Sequence, residues 1–230
     1  MDKMISASSF FGVALSLAAY MIGLTLQKKF KKGIFNPLLI SIVLVIGTLL
    51  ITGIEYKEYN VSASYLGYLL TPTTICLAIP LYRKLDQLKK NFWAIIGGIT
   101  SGAVTSMGSV FLLSLAFGLD HSMYATLLPK SITTAIGMVI SGQNGGIEAL
   151  TSLVIAFTGI VGCITGPILC KLLKLKNPIA QGVAFGTSAH VIGTSKASER
   201  GPIQGAVSSL SLAVAGILTA LLFPFVVSLL

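Results

Sequence analysis

Apolar stretches of membrane-spanning length follow one another along this chain, with only short polar segments between them. A helix needs about 20 predominantly apolar residues to cross a bilayer. The composition agrees, because 54% of the residues are hydrophobic and 10% are charged, whereas a soluble domain carries roughly 25% charged residues. The sequence therefore predicts an all-α, polytopic membrane protein, with residues 1–230 forming a single integral membrane domain.

Eight apolar elements can be delimited, and the fifth and seventh are interrupted at their middles by proline, glycine, serine and threonine. The eight elements are Phe10–Leu26, Asn36–Gly53, Val61–Tyr82, Asn91–Gly118, Ser122–Ser141, Ala149–Cys170, Pro178–Lys196 and Ala206–Leu230. Two interrupted segments at roughly corresponding positions are typical of transporters built from inverted repeats. We therefore expect that architecture here.

The distribution of lysine and arginine predicts how these elements cross the membrane. The net charge of +9 is concentrated in short clusters between apolar elements, and cytoplasmic loops carry such clusters. With the N-terminus outside, all clusters reach the cytoplasm only if the two interrupted elements enter from opposite faces and return. This predicts about six transmembrane helices plus two re-entrant or broken helices, in a multi-pass cell-membrane protein. The clusters form no continuous basic face, which argues against a nucleic-acid partner.

Lys130 is a cation inside an apolar element, in Leu127-Leu128-Pro129-Lys130-Ser131-Ile132-Thr133-Thr134. Keeping a lysine at membrane depth costs on the order of 2.5–3.5 kcal/mol, so a negatively charged substrate is the simplest reason to retain it. Pro129 is a candidate helix-break residue that suits the first turn of a new helix, and we expect that helix to run to Ser141. Lys130, Thr133, Thr134 and Gly137 would then share one face. The alternative is a lysine near an interface whose ammonium reaches the headgroups.

The seventh element contains Gly186-Thr187-Ser188-Ala189-His190-Val191-Ile192-Gly193-Thr194. Irregular backbone at membrane depth is tolerated only when it is buried in protein or lines water. Gly186, Thr187, Ser188 and His190 are therefore candidate substrate-binding residues, and Gly193 is a candidate helix break. Equally, His190 could bond a neighbouring carbonyl only to hold the break.

The third element is interrupted at Leu70-Thr71-Pro72-Thr73-Thr74. Pro72 and Thr73 are candidate helix-break residues that either line the same cavity or form a proline kink satisfied by threonine hydroxyls. No HExxH, P-loop or pair of intramembrane carboxylates is present, and the three cysteines lack CxxC spacing. We therefore expect no enzyme activity, no cofactor and no metal site.

Motifs spread over nearly the whole chain resemble the LrgB/CidB family of bacterial membrane proteins. The resembling stretches are Asn36-Pro37-Leu38-Leu39, Ala78-Ile79-Pro80-Leu81-Tyr82, Leu128-Pro129-Lys130-Ser131-Ile132-Thr133-Thr134-Ala135, Gly145-Gly146-Ile147, Gly186-Thr187-Ser188-Ala189-His190-Val191-Ile192-Gly193-Thr194 and the run at 205–210. The resemblance implies an antiholin-like or holin-like protein that affects murein hydrolase activity, usually accompanied by an LrgA/CidA-type partner. It also implies relatives, including plastid glycolate/glycerate transporters, that carry small carboxylates.

Two functions follow from these observations. The first is a secondary transporter of small monocarboxylates such as pyruvate or glycolate, with Lys130, Ser131, Thr133 and Thr134 on one side of the anion and the seventh element on the other. The alternative is a holin- or antiholin-like regulator of murein hydrolase activity and cell lysis. In either case we expect membrane lipid around a homo-oligomer, a dimer, and an LrgA/CidA-type partner.

Overall fold

The computed structural model describes residues 10–30, 36–76 and 78–230, and these residues are almost entirely helical. They divide into two compact units, residues 1–76 and residues 77–230. Within these described ranges, four helices are long and apolar enough to cross a membrane: Phe11–Phe30, Phe92–Phe117, Glu148–Leu172 and Pro202–Val227. A fifth apolar helix, Pro37–Thr52, is shorter. The predicted all-α membrane class is thus confirmed, while six spans and an inverted repeat stay predictions.

The first unit contains α1 (Phe11–Phe30), α2 (Pro37–Thr52), α3 (Tyr56–Ala63), a 3-10 helix (Ser64–Leu69) and α4 (Leu70–Cys76). Helix α2 begins with an Asn-Pro pair, and the Asn36 side chain accepts a hydrogen bond from the Leu38 amide at 2.9 Å. Such a cap satisfies an amide that has no partner inside the helix. Helix α1 packs against α3, where the Gly12 amide donates to the Ser62 hydroxyl at 2.6 Å.

The predicted third element, 61–82, is not one helix. It is divided among α3, the 3-10 helix, α4 and α5 (Ala78–Arg83). Pro72 lies in the first turn of α4, where proline is tolerated because its missing N–H would have no partner. The Thr73 hydroxyl donates to the Leu69 carbonyl at 2.6 Å. A threonine hydroxyl thus bonds a backbone carbonyl close to the proline, as expected if this stretch is a proline kink.

The second unit continues with helices named here α6 to α12. These are α6 (Leu85–Lys90), α7 (Phe92–Phe117), α8 (His121–Leu127), α9 (Thr134–Gln143), α10 (Glu148–Leu172), α11 (Pro178–Arg200) and α12 (Pro202–Val227). Helices α11 and α12 form the most extensive helix pair, joined at Gly201. One core cluster links α7, α8 and α12 through Met107, Tyr124 and Phe223, and the Tyr124 hydroxyl donates to the Val226 carbonyl at 2.7 Å.

Three glycine pairs at GxxxG spacing hold α11 against its neighbours. Methyl groups on Gly98 and Gly102 of α7 would lie 3.1 Å from Val183 and Thr187 of α11. Gly162 and Gly166 of α10 face Ala189 and Phe185, and Gly182 and Gly186 of α11 face Val207 and the Ser208 carbonyl of α12. Small residues at this interval let helix backbones approach closely. The first half of α11 is therefore packed against α7, α10 and α12 through glycine contacts.

The fifth predicted element is interrupted, but its helix does not begin at Pro129. Helix α8 ends at Leu127, a turn occupies 128–133, and α9 begins at Thr134 with Thr133 as its N-cap residue. The turn is set by burial, because Leu128 and Ile132 are 1% and 2% exposed and pack inward. The Ile132 amide bonds back to the Pro129 carbonyl at 3.3 Å. Lys130 consequently precedes the helix, and the predicted face shared with Thr133, Thr134 and Gly137 is wrong.

The seventh predicted element is also interrupted, within α11. Ala189 (φ −128°, ψ 16°) and His190 (φ 42°, ψ −132°) are non-helical and divide α11 into two halves. The break therefore precedes Gly193 by three residues. Gly193 supports it, because a methyl group there would lie 2.5 Å from the Phe185 carbonyl oxygen and 2.6 Å from the Ala189 side chain. A residue larger than glycine therefore does not fit at position 193 beside the break.

Candidate functional site

A cavity of about 670 Å³ lies in the second unit between α7, α10, α11 and the 128–133 turn. It is large enough for a small organic anion with several waters. Its polar lining residues come from α7, the turn and α11: Ser101, Thr105, Ser106, Ser109, Lys130, Ser131, Thr187 and Ser188. Most of its wall is apolar, so these polar groups are the ones that could fix the orientation of a ligand.

Lys130 forms a small polar cluster with two serines. Its ammonium nitrogen lies 3.2 Å from the Ser106 hydroxyl and 3.1 Å from the Ser131 hydroxyl. The two hydroxyls are bonded to each other at 3.0 Å. An ammonium group carries three N–H donors, and two of them are used here. Among the described residues, no carboxylate lies within ion-pair distance of Lys130, since Lys196–Glu199 is the one pair found.

The depth of the Lys130 ammonium follows from its contact with Ser106. Ser106 lies near the middle of α7, which runs from Phe92 to Phe117. At a rise of 1.5 Å per residue, it is roughly 21 Å from the first residue of that helix and roughly 16 Å from the last. Since α7 is long and apolar enough to span a membrane, the ammonium lies far from both ends of the span. This position does not fit a lysine that reaches the headgroups.

Thr187 and Ser188 of α11 line the same cavity. Their hydroxyls donate to the Val183 and Ala184 carbonyls at 2.7 and 2.6 Å. Because these donors are used within the helix, the two oxygens can act only as further acceptors. Of the predicted binding residues, the structure thus brings Lys130, Ser131, Thr187 and Ser188 together around one cavity.

Four other predicted binding residues do not line this cavity. Thr133 and Thr134 lie at the start of α9, and the Thr133 hydroxyl makes no capping hydrogen bond. Gly186 packs against the Ser208 carbonyl of α12. His190 is 4% exposed, and its Nε2 lies 2.8 Å from the Ile155 carbonyl oxygen in α10. That bond matches the alternative in which the histidine holds the helix break.

The predicted break residues fall into two groups. Pro129 lies inside the buried turn between α8 and α9, and Gly193 lies just after the break in α11. Pro72 and Thr73 belong to the first unit, and both are exposed there.

Sequence reasoning missed the serine stripe of α7. Ser101, Thr105 and Ser109 recur at intervals of four residues, and Ser106 lies beside them on a predominantly apolar helix. Residues three or four apart lie on one helix face, and all four line the cavity. This spacing was a usable indication of a cavity-lining face. It could not have identified Ser106 as the partner of Lys130, which is 24 residues away in sequence.

Comparison with known proteins places the chain. The family model described as the LrgB-like family matches residues 16–229. The chain belongs to the LrgB-like family. It is 38% identical over 223 residues to a Bacillus subtilis (strain 168) protein named antiholin-like protein LrgB, an alignment that covers 96% of each chain. A Bacillus cereus (strain B4264) protein of the same name is 38% identical over 217 residues, covering 94% of each chain.

The family assignment confirms the resemblance seen in the motifs. It extends over both structural units, since the matched residues begin in α1 and end after α12. No solved structure matches this chain.

Proposed function

We propose that this protein is an antiholin-like membrane protein that regulates murein hydrolase activity and lysis. The observation that carries the proposal is the 38% identity, over nearly the whole length, to proteins that bear the antiholin-like name. From the sequence alone, this role is the alternative to transport of small monocarboxylates. The comparisons favour it over carriage of a specific monocarboxylate. The cell membrane is the location that such a role requires.

The lysis role can be tested in a Bacillus subtilis strain whose own antiholin-like protein LrgB has been deleted. This chain would be expressed there, with its amount in the membrane fraction followed by immunoblot. We expect slower loss of culture turbidity after a lysis-inducing stress, and weaker murein hydrolase bands in zymograms, than with an empty vector. Lysis that is unchanged at full membrane expression contradicts the proposal.

The geometry of Lys130 favours a second function, carriage of a small carboxylate. The ammonium lies far from either end of an apolar helix, with two serines but no described carboxylate beside it, so it still carries the cost of a buried charge. A carboxylate entering the 670 Å³ cavity would supply the missing counter-charge. Charge-assisted hydrogen bonds of this kind are roughly twice as strong as neutral ones.

Cations around the mouth of the cavity support the same candidate. A pocket lined by Lys89 and Lys90 shares Ala94 with the cavity wall. A second pocket, which contains four basic residues, shares Cys170 and Leu175 with it. Clefts flanked by one sign of charge raise the local concentration of the opposite ion. Anions would thus be concentrated at the end of the cavity remote from Lys130.

Proteoliposome flux distinguishes the candidates. Carriage predicts saturable exchange of pyruvate or glycolate that Lys130→Met abolishes, whereas a pore predicts unselective leakage that Lys130→Met leaves unchanged. Parallel vesicles that also contain an LrgA/CidA-type protein test whether that partner is required, and cross-linking in the same vesicles tests for a homodimer. No flux in either preparation would remove the carrier candidate and leave the lysis role as the remaining function.

A further inference from the structure

Four basic side chains converge on a pocket of about 420 Å³ where α10 ends. This basic pocket is lined by Pro167, Cys170, Lys171, Lys174, Leu175, Lys176 and Arg200. Among the residues that the structure describes, no acidic one lines this pocket. These four side chains are exposed, and like charges that gather without a counter-charge repel one another, so an anion bound among them would make this arrangement more favourable.

The backbone at Lys174 shows that a lysine is kept here against local preference. The Leu175 amide bonds to the Cys170 carbonyl at 2.8 Å, and the Lys174 amide bonds to the Lys171 carbonyl at 3.2 Å. This is the Schellman pattern, in which the residue at the position of Lys174 is usually glycine because its backbone is left-handed. Lys174 has a φ of 53°. A side chain there costs about 1 kcal/mol relative to glycine.

Arg200 is held in place by its neighbours. Its Nε donates to Gln181 Oε1 at 3.2 Å, and Gln181 is itself 6% exposed and bonded through Nε2 to the Leu175 carbonyl at 2.6 Å. The guanidinium lies 6.0 Å from the centre of the Phe185 ring. No described residue accepts a hydrogen bond from its two terminal nitrogens. A guanidinium fixed in this way suits bidentate recognition of a phosphate.

The basic pocket lies at headgroup height if α10 spans the membrane, since Lys171 is in the last turn of that apolar helix. Pro167, Cys170 and Leu175 give it an apolar wall beside the cations. Basic pockets at this depth bind the phosphates of anionic lipids.

We propose that the basic pocket binds a phosphate-group anion through Lys171, Lys174, Lys176 and Arg200. The source of the phosphate is a phospholipid headgroup or a free phosphate, and the chemistry of recognition is the same for both. This pocket adjoins the cavity that Lys130 lines, sharing Cys170 and Leu175 with it, but the proposal does not depend on carboxylate carriage.

The purified full chain in a non-ionic detergent is titrated with phosphatidylglycerol, phosphatidylcholine and inorganic phosphate, and binding is followed by native mass spectrometry. The central variant is Lys174→Gly, which removes a cation and installs the residue that the left-handed backbone prefers. The control is Lys28→Gln, which removes one cation from the last turn of another apolar helix, α1.

We expect Lys174→Gly to weaken phosphatidylglycerol binding about fivefold, the effect of one cation near an anionic headgroup, and to unfold no earlier than the parent protein. Lys28→Gln should bind as the parent does. If inorganic phosphate displaces phosphatidylglycerol, the source of the phosphate group is a free phosphate. If inorganic phosphate does not displace it, the source is the lipid headgroup. Equal weakening by Lys174→Gly and Lys28→Gln, or no preference for phosphatidylglycerol together with no phosphate binding, would overturn the proposal.

Discussion

Gly159 of α10 faces the imidazole ring of His190 so closely that a methyl group on Gly159 would lie 2.7 Å from both Cε1 and Nε2. The same imidazole is bonded to the Ile155 carbonyl oxygen at 2.8 Å, one helical turn away. The non-helical backbone at His190 is thus stabilised by a ring that fits a groove left by a glycine. This pair ties the break in α11 to the packing of α10.

Replacing Gly159 by alanine should destabilise the protein, because the new methyl group displaces the imidazole and breaks its bond to Ile155. Overpacking of this kind costs about 1–3 kcal/mol. The apparent melting temperature in detergent, measured by intrinsic fluorescence, checks this. Gly108→Ala in α7 is the matched control, since nothing lies within 4 Å of its new methyl group, and it should raise or maintain the melting temperature. Equal melting temperatures for Gly159→Ala and Gly108→Ala would contradict the observed packing.

The backbone at His190 leads to a comparison of two variants. Glycine adopts a positive φ at little cost, whereas alanine keeps the strain of about 1–2 kcal/mol. Both variants lose the bond to Ile155, so we expect His190→Gly to be more stable than His190→Ala by about 1 kcal/mol. Chemical denaturation of the two proteins measures the difference. A more stable alanine variant would show that the left-handed conformation at position 190 is not required.

Gly186 tests the close approach of α11 and α12. A methyl group at this position would overlap the Ser208 carbonyl oxygen and lie 2.7 Å from Ser211 Cβ. Backbone cannot move aside as a flexible side chain can, so Gly186→Ala should lower stability by about 1–3 kcal/mol. Gly97→Ala, where nothing lies within 4 Å, is the reference. Comparable thermal stability of both variants would mean that Gly186 is not a packing residue.

Lys130→Met should raise stability while removing anion binding. Methionine is similar in volume and places no charge inside the protein, so the apparent free energy of unfolding should rise by about 1 kcal/mol or more. The bond between Ser106 and Ser131 can persist without the ammonium. Lys57→Met changes an exposed lysine of α3 and should leave stability nearly unchanged. Thermal unfolding and pyruvate binding are measured on the same preparations. Higher stability with lost binding identifies Lys130 as a functional charge that costs stability, whereas lower stability identifies it as a stabilising charge.

Much of the architecture was predictable because it depends on local chemistry. Apolar length identified the long helices. The clusters of proline, glycine and hydroxyl residues identified the interrupted elements. Each of these features is visible within about twenty consecutive residues.

The positions of the breaks depended on contacts that sequence spacing does not show. The helix after Pro129 begins at Thr134 because Leu128 and Ile132 are drawn into the core. The second break falls at Ala189 and His190 because the imidazole finds a carbonyl 35 residues earlier in the chain. Ser106 was missed for the same reason, since its partner lies in another element.

The glycine contacts around α11 also determine how rigid the cavity beside Lys130 is. In helices α7, α10 and α11, which form most of its wall, glycines of α7 and α10 lie directly against side chains of α11, with no space between them for a further methyl group. The cavity therefore keeps its shape when it is empty, and binding of an anion has to order few protein groups. The cavity should then select ligands by their size and charge, and not by their ability to change the conformation of the protein.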